Sequence, residues 1–169
     1  MKRKGHGKGC SALWLSLMIV FSVMGCAHSG GSGFLKKEFL KYENVAVLPF
    51  EGDESGQVAK AFARNFQRAF PEVSILGGRQ FLDNPPEEKF NLYQLDDATR
   101  LRIGRRVGAQ ALITGMIYSP GLLSWYLQVK IADTETGEVL GRSIVEVDSL
   151  FATDIEKAAR MAVEKLSSR

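Results

Sequence analysis

The chain has 169 residues, with 22 Lys plus Arg against 19 Asp plus Glu, two His, two Cys and 45% apolar residues, a globular composition at the length of one ordinary domain. Lys2, Arg3, Lys4 and Lys8 open the chain and no acid precedes Glu38, so beyond residue 25 the balance is 18 minus 19, or −1. Repeat arrays and collagen are excluded by composition, and a nucleic-acid partner by charge, because phosphate binding needs a basic excess on the folded part.

After the basic start, Ser11 to Met24 is an apolar stretch of 14 residues. This is the layout of a signal peptide (residues 1–25), and the stretch is shorter than the roughly 20 residues of a spanning helix. It ends in Val23-Met24-Gly25-Cys26, which resembles the lipobox of bacterial lipoproteins. The resemblance implies cleavage between Gly25 and Cys26, with a diacylglycerol on the Cys26 thiol, an N-acyl chain on its amine and no other cofactor. The alternative is an ordinary Cys closing a spanning or cleaved segment. The Gly/Ser tract Ser29 to Gly33 reads as a tether within residues 26–33, whose seven residues after Cys26 reach roughly 15 Å. Ala27 resembles the residue that sorts such proteins to the outer membrane, so the expected location is that membrane, lipid-anchored and facing the periplasm. Cys10 leaves with the signal, which removes any internal disulfide.

Residues 34–43 place Leu35, Phe39 and Tyr42 at i, i+4, i+7, a short amphipathic segment that must lean on the domain or on lipid headgroups. A single domain is expected from 44 to 169. Val45 to Phe50 is apolar on both faces, as a covered strand is. Ser55 then caps a helix with the stripe Val58, Phe62, Phe66 and Ala69. Val73 to Leu76 is a short strand, and Gly77 to Gln94, with Gly77-Gly78 and Pro85-Pro86, is an irregular connection in which Arg79 to Leu82 can form a helical turn. Asp96-Asp97 start a helix with Ala98, Leu101 and Leu95 inward, and Gly108 ends it. Ala111 to Tyr118 is a strand apolar on both faces. From Leu123 to Ile131 apolar and polar residues alternate, and Glu138 to Val147 follows the turn at Thr134 to Gly137. Thr153 and Glu156 form a capping box for a last helix carrying Ile155, Ala159, Ala162 and Leu166. The order β-α-β-α-β-β-β-α predicts an α/β (α+β) fold with a mixed sheet and a C-terminal antiparallel meander.

His6 leaves with the signal and His28 lies in the tether, so from Asn44 onward there is neither His nor Cys. Triads using His, imidazole or thiolate metal sites and thiol redox chemistry are therefore excluded there. Carboxylates remain as acid-base groups: Asp53 with Glu54, before a helix where open α/β sheets place ligands, and Asp133 with Glu135 in a hairpin turn. Each pair also has a plain structural use in a loop or turn. Arg100, Arg102, Arg105 and Arg106 cluster on one helix, either as a solvated face or facing an anionic partner. Trp125 shares its face with Leu127 and Val129 and is expected in the core, which leaves Tyr126 for surface contact. Arg102, Arg105, Arg106 and Tyr126 form the candidate partner surface, and the strand from Leu122 to Ile131 is a candidate exposed edge for a homo-oligomer.

Three segments, Val45 to Phe50 (VAVLPF), Gly108 to Gly115 (GAQALITG) and Asp133 to Val139 (DTETGEV), resemble the curli-secretion lipoprotein (CsgG-like) family. That superfamily includes the N-terminal domain of the Tol-system propeller protein and the outer-membrane lipoprotein activators of penicillin-binding proteins (LpoB-like). The resemblance spans about residues 44 to 166 and rests on core and turn positions, such as Gly115 for close packing and Gly137 for a positive φ. It implies an envelope lipoprotein that assembles or activates another machine, and it carries over no catalytic residue. A self-made pore is not expected, because the turn at Ser119-Pro120-Gly121 leaves no room for strands of about 9 to 11 residues. The expected role is a non-enzymatic accessory or scaffold bound to another envelope protein. The alternatives are a regulator of a peptidoglycan synthase, which a short tether disfavours, and a carboxylate-dependent enzyme using Asp53 or Glu54.

Overall fold

The computed structural model describes residues 30–76, 92–121, 124–147 and 152–168. In chain order the elements are β1 (Gly31–Leu35), a 3-10 turn (Lys37–Lys41), β2 (Asn44–Val47), α1 (Gln57–Ala69), β3 (Ser74–Leu76), a second 3-10 turn (Leu92–Gln94), α2 (Asp97–Val107), β4 (Ala111–Tyr118), β5 (Trp125–Asp133), β6 (Val139–Val147) and α3 (Ala152–Ser167). From Asn44 onward this is the predicted order, in one six-stranded mixed sheet arranged β1-β6-β5-β4-β2-β3. β2 pairs in parallel with β3 and β4, while β4, β5, β6 and β1 are antiparallel.

The pleat of β4, β5 and β6 turns every second side chain to the same face. Ile113, Leu127, Val129, Ile131 and Val145 meet α1 and α3 there, in a core shared with Phe39, Val45, Val47, Phe62 and Phe66. Phenylalanine rings run through it: Phe39 meets Phe66 edge-on at 5.9 Å and Phe70 at 5.8 Å, and Phe62 stacks on Phe66 at 5.7 Å. α1 and α3 are locked by Glu156, which accepts from Arg64 Nη2 at 2.7 Å and from Asn65 Nδ2 at 2.9 Å. Glu156 thus bridges two helices; the Thr153 side chain of the expected capping box lies outside the described residues. The opposite sheet face carries a smaller cluster, Ala46, Leu48, Ala109 and Leu112, covered by Leu95, Ile103 and Val107 of α2 and its lead-in.

Several expectations are corrected. The Gly/Ser tract is not tether as far as Gly33, because β1 begins at Gly31 and pairs Gly31 with Val145 through Leu35 with Gly141. The glycines serve contact here: a Cβ on Gly33 would lie 2.6 Å from the Lys165 carbonyl oxygen of α3, so its absence lets helix and strand touch. The segment after β1 is a 3-10 turn that buries Phe39 completely. α1 has Gly56 at its N-cap, and the cap acceptor is Asp53, whose Oδ2 takes the Ala59 N–H at 2.9 Å. Ser55 supports it by donating to Asp53 Oδ1 at 3.1 Å. Ala69 is exposed at the end of the expected stripe. β5 is no edge, since it lies between β4 and β6, and the edges are β1 and β3. Trp125, at the start of β5, is 37% exposed and so lies outside the core expected for it. The expected turn at Arg79 to Leu82 lies outside the described residues.

β1 offers a direct check on its assignment. Gly33→Val should destabilise the domain by about 1–3 kcal/mol in urea unfolding, through overpacking against α3. Ser32→Val, on the other face of β1, should stay within about 0.5 kcal/mol. Equal, negligible effects would mean that residues 31–35 behave as a free tether.

Candidate functional site

On the face opposite α1 and α3, the register aligns Thr114 with Lys130, Met116 with Gln128 and Tyr118 with Tyr126, and continues from these to Arg142, Ile144 and Glu146 of β6. Ser32 and Phe34 of β1 complete the surface opposite Ile144 and Arg142. Among the described residues, α2 and the 3-10 turn at Leu92–Gln94 cover this face from β2 and β4 as far as Lys130 and the hairpin end of β5. The remainder holds a Tyr118–Tyr126 stack at 5.4 Å, with Tyr118 36% and Phe34 46% exposed. Partial burial and then the Glu146 carboxylate raise the Tyr126 phenol above its ordinary value. The tyrosine pair, apolar rings with polar tips, is a binding surface of ordinary kind, and Phe34, opposite Arg142 in the register, is a second exposed ring on the same face.

The arginines do not join Tyr126. Gly104, in the middle of α2, packs on Thr134, just beyond the far end of β5, eight residues from Tyr126 and roughly 26 Å away at strand rise. Arg102, Arg105 and Arg106 are exposed on α2, and Arg105 borders an open cleft of about 500 Å³ with Lys41, Tyr42, Gln110, Asp133 and Glu135. Arg100 leaves the group altogether: it is buried and Ala98 is exposed, so α2 is rotated from the expected inward face. Its Nε donates to the Thr134 carbonyl at 3.2 Å and its Nη1 to Asp97 Oδ1 at 2.6 Å. Gly137, at φ 74°, lets the guanidinium lie against the hairpin turn, since a Cβ there would come within 2.6 Å of Arg100 Nη1.

The carboxylates have structural partners. Asp53 caps α1, and Asp96 caps α2 by accepting from the Thr99 N–H at 2.9 Å, which with a second Thr99 contact lowers its pKa. Asp133 Oδ1 accepts from the N–H groups of Glu135 and Thr136 and from the Thr136 hydroxyl, closing the turn as sequence chemistry predicts. Its Oδ2 accepts from the Tyr42 hydroxyl at 2.6 Å, a long-range tie with no sequence signal. Burial alone would raise Asp133, but those hydrogen bonds, led by the Thr136 backbone, bring it below its ordinary value. Burial, and then Asp133, push the Tyr42 phenol up to about 12. Among the described residues no group of three His, Cys, Asp or Glu could hold a metal ion, and no helix is long and apolar enough to cross a membrane. Gly25 and Cys26 lie outside the described residues.

No family model matches the chain, and no curated protein matches it. Its fold is similar to that of the PelC dodecamer from Paraburkholderia phytofirmans, at 13% identity and TM-score 0.51 over 81% of this chain and 93% of that one. Weaker likenesses link it to a lipoprotein from Neisseria meningitidis, at 12% identity and TM-score 0.48 over 63% of this chain and 80% of that one. The LpoB C-terminal domain from Salmonella enterica stands at 18% identity and 0.46, over 63% and 83%. At such identities the likeness is one of fold alone.

The Tyr42–Asp133 tie makes stability depend on pH at both ends. The raised Tyr42 value means that its contribution is complete below pH 10 and lost as the pH climbs through about 12. The lowered Asp133 value means a contribution present above the ordinary carboxylate range and lost as the pH falls through the folded value. Tyr42→Phe should flatten the alkaline limb of the unfolding midpoint, and Asp133→Asn the acid limb; unchanged limbs would remove the tie from the account.

Proposed function

We propose that this chain is an outer-membrane-anchored periplasmic lipoprotein that works by binding, as a non-enzymatic accessory or scaffold for an envelope or secretion machine. The observation that carries the binding role is the sheet face on which, among the described residues, Phe34 and the stacked Tyr118 and Tyr126 stand outside the helical cover. The anchoring is supported by the charge, apolar length and Gly25-Cys26 junction of the N-terminus. The first strand begins at Gly31, so residues 27–30, even as a free chain, reach only about 11 Å from Cys26. That span holds the domain beside its own membrane and disfavours contact with a synthase seated across the periplasm. PelC, whose fold this chain shares, is described as a dodecamer, and self-association belongs to the proposal at the level of fold likeness.

Two measurements test this. Cys26→Ser should leave an unprocessed precursor that takes up no labelled fatty acid; normal labelling would end the lipoprotein assignment. In cells, a photo-cross-linking residue at Phe34 or Tyr118 should capture an outer-membrane or secretion component or a second copy of the chain, and one at Lys157, exposed on α3, should not. Capture of a peptidoglycan synthase at the aromatic positions would select the regulator role instead, and equal capture at Lys157 would deny the face any special part.

A further inference from the structure

Beneath the first half of α2 the same sheet face holds a separate cavity of about 140 Å³, lined by Leu95, Arg100, Leu112, Thr114, Lys130, Ala132, Gly137 and Val139. Two of these residues are cationic and none is acidic. Arg100 is 7% exposed, and its carboxylate partner Asp97 does not line the cavity: that side chain is 91% exposed on the outer side of the helix. Of the five guanidinium donors, two are used in the bonds to Thr134 and Asp97. Lys130 is half-buried; its ammonium donates to the neutral Tyr93 carbonyl at 2.5 Å and lies 5.0 Å from the Tyr93 ring centre. Thr114 faces Lys130 across the β4–β5 ladder, and its hydroxyl is fully buried with no hydrogen-bond partner. Such an orphan is rare in a folded interior.

These features have no joint explanation in folding. Two cations beside one apolar-walled cavity repel each other, and the low local dielectric magnifies the repulsion. Burial first, then Arg100 and then Arg142 lower the Lys130 pKa, which reports the same strain. Unused guanidinium donors, an ammonium with no carboxylate partner and an unpartnered hydroxyl around one cavity are together the inverse image of an oxyanion. We propose that Arg100, Lys130 and Thr114 form a binding site for a phosphate group, carried by a small soluble ester or by a lipid headgroup. Asp97 already balances Arg100 from outside the cavity, so the charge left for a ligand is that of Lys130 and of Arg142 beside it: a phosphate dianion neutralises both, and a carboxylate leaves one uncompensated. Size agrees, because the cavity equals the liquid share of roughly four to five waters, enough for one phosphate group with a bridging water. Arg142, paired with Lys130 in the sheet register, stands next to the site on β6.

The test uses the full chain in detergent with inorganic phosphate as probe, against sodium chloride at matched ionic strength. Phosphate should raise the thermal unfolding midpoint in a saturable way that chloride does not reproduce. Thr114→Val keeps the side-chain shape and removes the orphan hydroxyl, so it should fold at least as stably without phosphate yet bind it at least tenfold more weakly. Lys130→Met should weaken it as much or more; if that variant fails to fold, Arg100→Lys, which keeps the charge and loses the fork, replaces it. Dihexanoyl phosphatidic acid, soluble and carrying the group on a lipid, distinguishes the sources: tighter binding than phosphate points to a headgroup, weaker binding to a soluble ester. The proposal is overturned if neither probe shifts the wild-type midpoint beyond chloride, or if either folded variant keeps wild-type affinity.

Discussion

Among the described residues one sheet face is covered by two helices and the other by one, and the remaining features follow from that imbalance. Six strands at roughly 4.8 Å spacing make a surface about 24 Å wide, while helices pack about 10 Å apart. α1 and α3 together nearly span that width, and the large core with its phenylalanine rings forms beneath them. α2 alone can cover less than half of the other side, and its cluster is correspondingly small. What it leaves is handled by side-chain choice: tyrosines and charged groups whose apolar bodies lie on the sheet and whose polar ends reach water. Among the described residues, the surface left for recognition therefore follows from one helix standing where two would be needed.

β4 was legible to the residue and β5 and β6 to within two, because β4 is apolar on both faces, β5 alternates and turn chemistry bounds each. Ala111–Tyr118 and the Asp133 turn need only local information. β1 was not legible, since Gly31-Ser32-Gly33 has the composition of a linker, and the function of its missing side chains appears only when Lys165, at the other end of the chain, lies against them. α2 misled for a related reason. Arginine on a helix reads as outward, yet Arg100 has a carbonyl, a turn glycine and an exposed Asp97 to satisfy it, and Ala98 is displaced to the surface.

The same divide runs through the candidate sites. Tyr126 could be assigned to the surface from alternation alone, but its separation from Arg102, Arg105 and Arg106 depends on where α2 crosses the strands, which no sequence period encodes. Tyr93, Thr114, Lys130 and Arg100 come from four elements, and none carries a motif. Lys130 in particular reads as a routine solvated position of a half-buried strand. Its neighbours make it otherwise: a helix above, an unpaired hydroxyl beside it and a tyrosine backbone as its acceptor.

The pairing of β1 with β6 has a consequence for biogenesis. The chain is synthesised from its N-terminus, so β1 emerges first and must wait for β6, its hydrogen-bonding partner, and for α3, which it supports, until nearly all of the domain has followed. Contacts so distant in sequence form late and slowly. In the interval β6 itself has no outer neighbour, and an open strand edge recruits other chains. A domain built this way is at its most aggregation-prone in the last moments of its synthesis, so its folding yield depends on how long that edge stays unpaired as well as on the final stability of the closed sheet.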